Sequence, residues 1–250
     1  MTSLEVLFAP AEFAALKQRS LSDTVCVVLD VLRATSTMVS ALANGAAGVV
    51  PVEEITEALA FRSGHPGVLL AGEREGVRIC APGAEFDLGN SPREFTPAAI
   101  ARRTIVTTTT NGTRALRACA GARTVLAASF LNLGATAAFL DHQQPTSLLI
   151  VCSGTHEETA FEDALAAGAL CDQLWDIYSG GAIADSALLA RNIWRLEQSH
   201  LLQAVSRSRN GRRLLSLPDL KADVAFCVQR DLFNLVAELG PDGVVRRRQQ

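Results

Sequence analysis

Short, unbroken apolar runs set the terms for this chain. Val25–Leu29 reads VCVVL and Leu148–Cys152 reads LLIVC, with no polar residue in either. A strand with one wet face alternates apolar and polar; a run apolar on both parities needs cover on both faces, as strands of a parallel sheet have. Leu4–Phe8, Gly48–Val52, Val68–Ala71, Thr104–Val106 and Thr124–Ala128 read as further strands. Between them lie helical patterns: Thr35 to about Ala43, stopped by Asn44-Gly45, then Glu53–Arg62, Thr113–Cys119, Leu131–Leu140 and Glu158–Tyr178. Strand and helix in alternation predict an α/β fold of three layers, a mainly parallel sheet with helices on both faces.

At 250 residues the chain has ample length for a core, and one domain spanning 1–250 accounts for the pattern. Beyond Gly180-Gly181 the alternation stops, and a helical and then mixed region runs from about residue 182 to the end. Aromatics are only 5% against 48% hydrophobic residues, which suits close packing of Ala, Val and Leu between helix and sheet. A net charge of −3 gives no electrostatic footprint for nucleic acid, and Arg246-Arg247-Arg248 reads as a frayed basic end. The six cysteines form no C-x-x-C pair and read as small core residues in a reducing compartment. No leader pattern and no 18-residue apolar run is visible, so the expectation is a soluble, cytoplasmic protein without membrane partners. Oligomeric state stays open, homo-oligomers included.

The most informative polar stretch is Thr104–Leu116, TIVTTTTNGTRAL. A strand here ends in hydroxyls just before Asn111-Gly112 turns the chain into a helix. Free N–H groups, threonine hydroxyls and a glycine that admits close approach together suit an oxyanion; an ordinary Thr-capped helix after a β-branched strand has the same appearance. Asp30–Val52 and Thr107–Ala128 share an order of Thr-rich turn, short helix, Gly-Ala and strand. That echo reflects one architecture used twice or a duplicated unit.

Ligands of parallel α/β sheets gather at strand carboxyl ends. Those ends deliver Asp30 and Arg33, Glu73 and Arg74, Thr108–Asn111, Ser129 and Asn132, and Ser153 and Thr155, with Glu162-Asp163 opening the next helix. Acids, arginines and hydroxyls in one place suit an anionic substrate with a divalent cation. The hard oxygens of Asp30, Glu73, Glu162 and Asp163 are of the kind Mg²⁺ takes, although Glu162 and Asp163 also read as acids favoured at a helix start. Arg33 and Arg74 can fork onto phosphate, sulfonate or carboxylate, or simply pair at the surface. Other chemistries are excluded. There is no P-loop and no G-x-S-x-G elbow, and His156-Glu157 lacks the second histidine of a zinc helix, Ala160 standing there instead. Asp30 lacks an acid two residues on, where Leu32 stands. The four histidines read as surface residues.

Taken together, Asp30-Val31-Leu32-Arg33-Ala34-Thr35, Gly72-Glu73-Arg74, Phe86-Asp87-Leu88-Gly89-Asn90-Ser91-Pro92, Thr108-Thr109-Thr110-Asn111-Gly112-Thr113 and Glu162-Asp163 occur in an order that resembles the 2-phosphosulfolactate phosphatase family. The resemblance is strong over about Val25–Leu170 and weaker beyond. It implies a Mg²⁺-dependent phosphatase that releases phosphate and sulfolactate from 2-phosphosulfolactate, a step towards coenzyme M; a related 2-phospho-carboxylate, or an anion-binding protein without activity, is the alternative. The small-molecule partner is then a phosphorylated 2-hydroxy acid. The reading assigns catalysis to Asp30, Arg33, Glu73, Asn90, Thr110 and Asn111, and metal binding to Asp30, Glu73 and Asp163. Substrate contacts fall to Arg33, Arg74, Asn90, Ser91, Thr109, Thr110, Asn111, Gly112, Thr113 and Ser129. Two departures lie beside this site: Glu157 and Ala160 where the family usually has glycine and serine, and extra residues at Ala81–Glu85.

Overall fold

The computed structural model describes residues 1–16, 18–81 and 83–249. In chain order its strands are β1 (Ser3–Leu7), β2 (Thr24–Leu29), β3 (Gly48–Val52), β4 (Leu69–Arg74), β5 (Val77–Arg78), β6 (Cys80–Ala81) and β7 (Ala84–Glu85). They continue as β8 (Thr104–Thr108), β9 (Thr124–Ala128), β10 (Ser147–Cys152), β11 (Ala182–Ile183), β12 (Ala237–Leu239) and β13 (Val245–Arg247). The helices are α1 (Phe13–Leu16), α2 (Ala34–Ala43), α3 (Ile55–Gly64), α4 (Pro97–Ile100), α5 (Gly112–Ala118) and α6 (Leu133–Gln143). After them come α7 (Phe161–Gln173), α8 (Trp175–Tyr178), α9 (Asp185–Glu197), α10 (Leu201–Ser206), α11 (Arg209–Leu215) and α12 (Lys221–Cys227).

The α/β expectation holds: one large, mostly parallel sheet has helices on both faces. β2 shows why its run is apolar on both parities. Val25, Val27 and Leu29 face a cluster with residues of α6, α7 and α9, while Cys26 and Val28 face one with residues of α2 and α5.

Sheet order is β11-β1-β10-β2-β9-β12-β13-β3-β8-β4-β5. β1, β10, β2 and β9 run parallel, as do β3, β8 and β4. The C-terminal hairpin β12–β13 sits between these two groups and pairs antiparallel with β9 on one side and β3 on the other. The two parallel groups therefore run in opposite directions. On a flat sheet the five steps from β2 to β8 would span about 24 Å. Yet a Cβ on Gly112, just past β8, would lie 2.7 Å from Asp30 Oδ2, just past β2, and 2.5 Å from Ala34 Cβ. The sheet must bend, with the cluster containing α2 and α5 residues enclosed between its halves. Only glycine permits this approach.

Three local expectations change. Arg246 and Arg247 are not frayed: they lie in β13, where Arg246 pairs with Asp242 at 2.8 Å and Arg248, just beyond, pairs with Glu238. The long helix begins at Phe161, after a bridge between Thr155 and Glu158, and is interrupted at Leu174. The Gly72–Pro97 passage is built rather than slack. Leu88 N–H donates to Leu70 O and Gly72 N–H to Leu88 O, which lays Leu88 alongside β4. Within the additional Ala81–Glu85 residues, Pro82 lies outside the described residues, and β6 and β7 form a small ribbon.

Candidate active site

Asp30 follows the last residue of β2. Its backbone N–H donates to Thr35 Oγ1 at 2.8 Å, and its Oδ1 accepts from Ala34 N–H at 3.0 Å, so the turn into α2 is closed by the acid's own groups. The Leu32–Arg33 peptide in this turn is cis. Oδ2 accepts no hydrogen bond from a described residue, and Asp30 lines the cavity described below. Burial pushes the Asp30 carboxyl up to about 7; the Ala34 N–H opposes this, and the nearby charges of Glu73 and Glu162 reinforce it. Asp163, in the first turn of α7, receives Val31 N–H at 2.8 Å and Gly154 N–H at 3.1 Å, tying the ends of β2 and β10 together. Burial, then Asp30 and Glu162, hold Asp163 well above the usual carboxylate range, and burial also raises Glu162. Burial and their mutual charge thus favour the protonated form of all three acids.

The other half-sheet supplies the facing wall. Glu73 Oε1 accepts both the N–H and the hydroxyl of Thr110 at 3.0 Å, and Oε2 accepts Gly76 N–H at 2.6 Å. Asn111 donates its amide to Ser153 O at 3.1 Å and His156 O at 3.0 Å, which fixes the amide's orientation and turns Oδ1 the other way. Arg33 is buried, with Nη1 on Asp223 Oδ2 at 2.8 Å and Nη2 on Gly76 O at 2.7 Å. Arg74 is spent differently: Nη1 donates to Glu73 O, and Nη2 to Glu53 O and Thr108 Oγ1.

These walls enclose a cavity of about 380 Å³. Of the residues expected at the site, Asp30, Arg33, Glu73, Arg74, Asn90, Thr109, Thr110 and Asn111 line it. Ser91, Gly112, Thr113, Ser129 and Asp163 do not. Ser91 Oγ donates to Asp223 at 2.7 Å, Thr113 Oγ1 to Thr109 O at 3.1 Å, and Ser129 Oγ accepts Leu131 N–H at 3.3 Å. Gly112 acts through close approach, and its helix is only seven residues long, so side chains supply most of the polar groups.

Among the described residues, five buried side-chain polar atoms have no hydrogen-bond partner: Asn90 Oδ1, Thr109 Oγ1, Asn111 Oδ1, Ser153 Oγ and Glu162 Oε2. Each such atom costs about 1–3 kcal/mol. Asn90, Thr109 and Asn111 line the cavity, Ser153 precedes its Gly154 wall, and Glu162 is bonded at 2.6 Å to the cavity residue Asn210. Unmet polar capacity is concentrated where a polar ligand would enter.

Reasoning from sequence missed one wall. Asn210, Arg213 and Leu214 of α11 close the cavity from the C-terminal region, and His156, though exposed, stands at its edge with left-handed backbone. Asp223 of α12 is wholly buried behind Arg33. A signal for both existed: Ser208-x-x-Gly211 marks a capped helix start carrying Asn210, and Asp223 is an acid within the otherwise apolar face of a short helix.

Among the described residues no group of three or more His, Cys, Asp or Glu is arranged to hold a metal. Mg²⁺ does not need one, since it keeps several waters and takes one or two carboxylates. Of the three expected ligands, Glu73 and Asp163 have both oxygens engaged by N–H or O–H groups, whereas Asp30 Oδ2 is uncommitted. The unpaired Glu162 Oε2 and Asn111 Oδ1 add two oxygens of suitable chemistry. These oxygens are of the kind Mg²⁺ takes.

A clamped guanidinium, hydroxyls and proton-bearing acids around one small cavity can bind an anionic ester and manage the proton transfers of its hydrolysis. Comparison with known proteins gives the class, a phosphoric monoester hydrolase. The chain belongs to the 2-phosphosulpholactate phosphatase family, whose model matches residues 12–241. It is 41% identical over 213 residues to a probable 2-phosphosulfolactate phosphatase of Thermotoga petrophila, covering 85% of this chain and 88% of that one. A protein of the same description from Pseudothermotoga lettingae is 36% identical over 245 residues, 98% of this chain and 99% of its own. One from Caldicellulosiruptor saccharolyticus is 36% identical over 222 residues, 87% and 90% respectively.

Proposed function

We propose that this phosphatase hydrolyses 2-phosphosulfolactate to sulfolactate and inorganic phosphate with the help of Mg²⁺, the reaction type of coenzyme M biosynthesis. The observation that carries the reading is the concentration of unpaired buried polar atoms around a cavity holding both Arg33 and Asp30. Arg33 and the hydroxyl of Thr109 bind the phosphoryl oxygens, with charge developing in the transition state met by groups already oriented for it, while Thr110 is held by Glu73. Asp30, titrating near 7, accepts a proton from the attacking water and passes it through the acid cluster towards the departing alkoxide. Mg²⁺ would be held through its own waters by Asp30 Oδ2, Glu162 and Asn111, which leaves Asp30 able to take a proton; when bound it supplies positive charge that draws electron density from the phosphoryl group. Attack by Asp30 itself is the competing chemistry. The stereochemical course at a chiral phosphoryl group decides it: net retention, the sign of two displacements through a phosphoenzyme, overturns the water mechanism, and inversion sinks attack by Asp30.

Neither residue that departs from the family pattern enters the cavity. Glu157 pairs at 2.9 Å with Arg114 on the surface, and Ala160 is a buried residue at the start of α7. This supports the family's substrate over a related 2-phospho-carboxylate. The experiment is phosphate release from a panel of 2-phospho acids, with Mg²⁺ and then with chelator. The expected result is highest kcat/KM for 2-phosphosulfolactate and loss of activity on chelation. Tight sulfolactate binding with no release from any ester would point instead to a metabolite-binding protein.

A further inference from the structure

Arg33 has five N–H donors, and two are committed, one to Asp223 and one to Gly76 O. Asp223 does not line the cavity and Gly76 does, so the guanidinium is tied at two points and its plane is fixed while other donors remain for a ligand. Asp223 does a second task. Its other oxygen accepts Ser91 Oγ at 2.7 Å, next to Asn90, whose carbonyl accepts Thr37 Oγ1 at 2.9 Å and whose Oδ1 is one of the unpaired atoms. One carboxylate thus holds the cavity residue Arg33 and, through Ser91, the neighbour of the cavity residue Asn90; the exposed Arg93 also reaches Asp223 Oδ1 at 3.4 Å. The Arg33 and Asp223 side chains are 3% and 0% exposed. A tie made only for stability at that depth is served as well or better by apolar residues, because desolvating two charges costs several kcal/mol each.

We infer that Asp223 is a positioning residue for phosphate-ester hydrolysis, aiming the Arg33 guanidinium and the Asn90–Ser91 turn at the phosphoryl group from the C-terminal helical region. The inference rests on the phosphatase reading for its kinetic consequence, not for its binding consequence. A misplacement of about 1 Å at such a group can cost roughly 100-fold in rate.

The test is a double-mutant cycle with Asp223→Asn and Arg33→Gln, read as kcat and KM on the best phospho acid and as inorganic phosphate binding by calorimetry. Expected are a fall in kcat of about 100-fold for D223N with a smaller change in KM, and weaker phosphate binding for D223N and R33Q alike. In the R33Q background D223N should cost about tenfold or less, the share owed to the Asn90–Ser91 turn, because the part exerted through Arg33 is already lost. If D223N alone does not fold, R33M is compared with R33M/D223L, which removes both buried charges, and activity and phosphate binding within about tenfold of each other are expected. Multiplying losses, or a D223N protein with wild-type kcat and phosphate binding, overturn the inference. A wild-type protein inactive on every ester sinks the phosphatase reading instead, while the phosphate-binding cycle still decides the role of Asp223.

Discussion

Asp30 and Ser129 occupy equivalent places: each follows the last residue of a buried parallel strand, and those strands, β2 and β9, are neighbours in register, Leu29 opposite Ala128. Each begins a polar turn that leads into a helix. The turns have opposite uses. Around Ser129 every polar group shown is answered: its N–H donates to Asn132 Oδ1 at 3.0 Å, its hydroxyl accepts Leu131 N–H, and Asn132 Nδ2 reaches Leu235 O at 3.2 Å. With Phe233 N–H on Leu131 O, that turn anchors the segment leading to the β12–β13 hairpin. Around Asp30 one oxygen is left over, two further acids crowd it, and a cavity opens in front. A strand-end polar residue becomes chemically useful when its capacity exceeds what the surrounding fold consumes.

The comparison breaks most visibly at Asp30→Asn. Activity should fall about 10³-fold or more, since the group that moves the proton is gone. Stability should change in the opposite direction. Burial raises the Asp30 carboxyl from 3.8 to about 7, so its protonated form favours the fold. That contribution is fully present below about pH 4 and is lost as pH rises through about 7. The asparagine never ionises and keeps it. Thermal melts in chelator should show D30N above the wild type by several degrees at pH 8, with the gap closing towards pH 4. A D30N melting temperature equal to or below wild type at pH 8 would contradict the buried, crowded carboxyl.

Much of this contrast lies beyond local sequence. The apolar run of β2, the acid at its end, and the Thr107–Asn111 stretch were legible because periodicity and strand-end polarity are local properties. The α/β class follows from the same signals. The reversal of the two half-sheets was not legible, because β12 and β13 are three-residue strands, AEL and VRR, whose placement depends on hydrogen bonding to β9 and β3. Asp223 meets Arg33 across 190 residues, and Asn210 meets Glu162 across 48, distances at which sequence spacing carries no information. Ser129 looked like Asp30 for a physical reason: an unsatisfied group and a satisfied one have the same side chain, and only tertiary partners separate them. Arg74 is similar, since its partners are the carbonyls of Glu73 and Glu53 and the Thr108 hydroxyl of the neighbouring strand.

Asn111 sharpens the comparison at intermediate size, because it is both anchored and unsatisfied. Its amide holds Ser153 O and His156 O while its oxygen waits in the cavity. Asn111→Ala should lower kcat/KM by about 100-fold and cost about 1–2 kcal/mol of stability through the two carbonyls left bare. Steady-state kinetics and urea melts on one preparation check both. A stability loss without a kinetic one would move Asn111 to the structural side, with Asn132.

Ser129→Ala is the smallest expected effect and the most discriminating. Its hydroxyl caps the turn at Phe130–Asn132 and lies outside the cavity, so the substitution should cost about 1 kcal/mol of stability, the usual size for a lost cap. Because kcat and KM depend on groups facing the cavity, both should stay within about twofold of wild type when measured well below the melting temperature. The adjacent register with β2 makes this a demanding test: a group one strand from Asp30 is being asked to have no chemical role. If S129A instead raised KM many-fold with unchanged stability, the hydroxyl would have to reach the substrate, and hydrogen-bond satisfaction would fail as the property that divides the two turns.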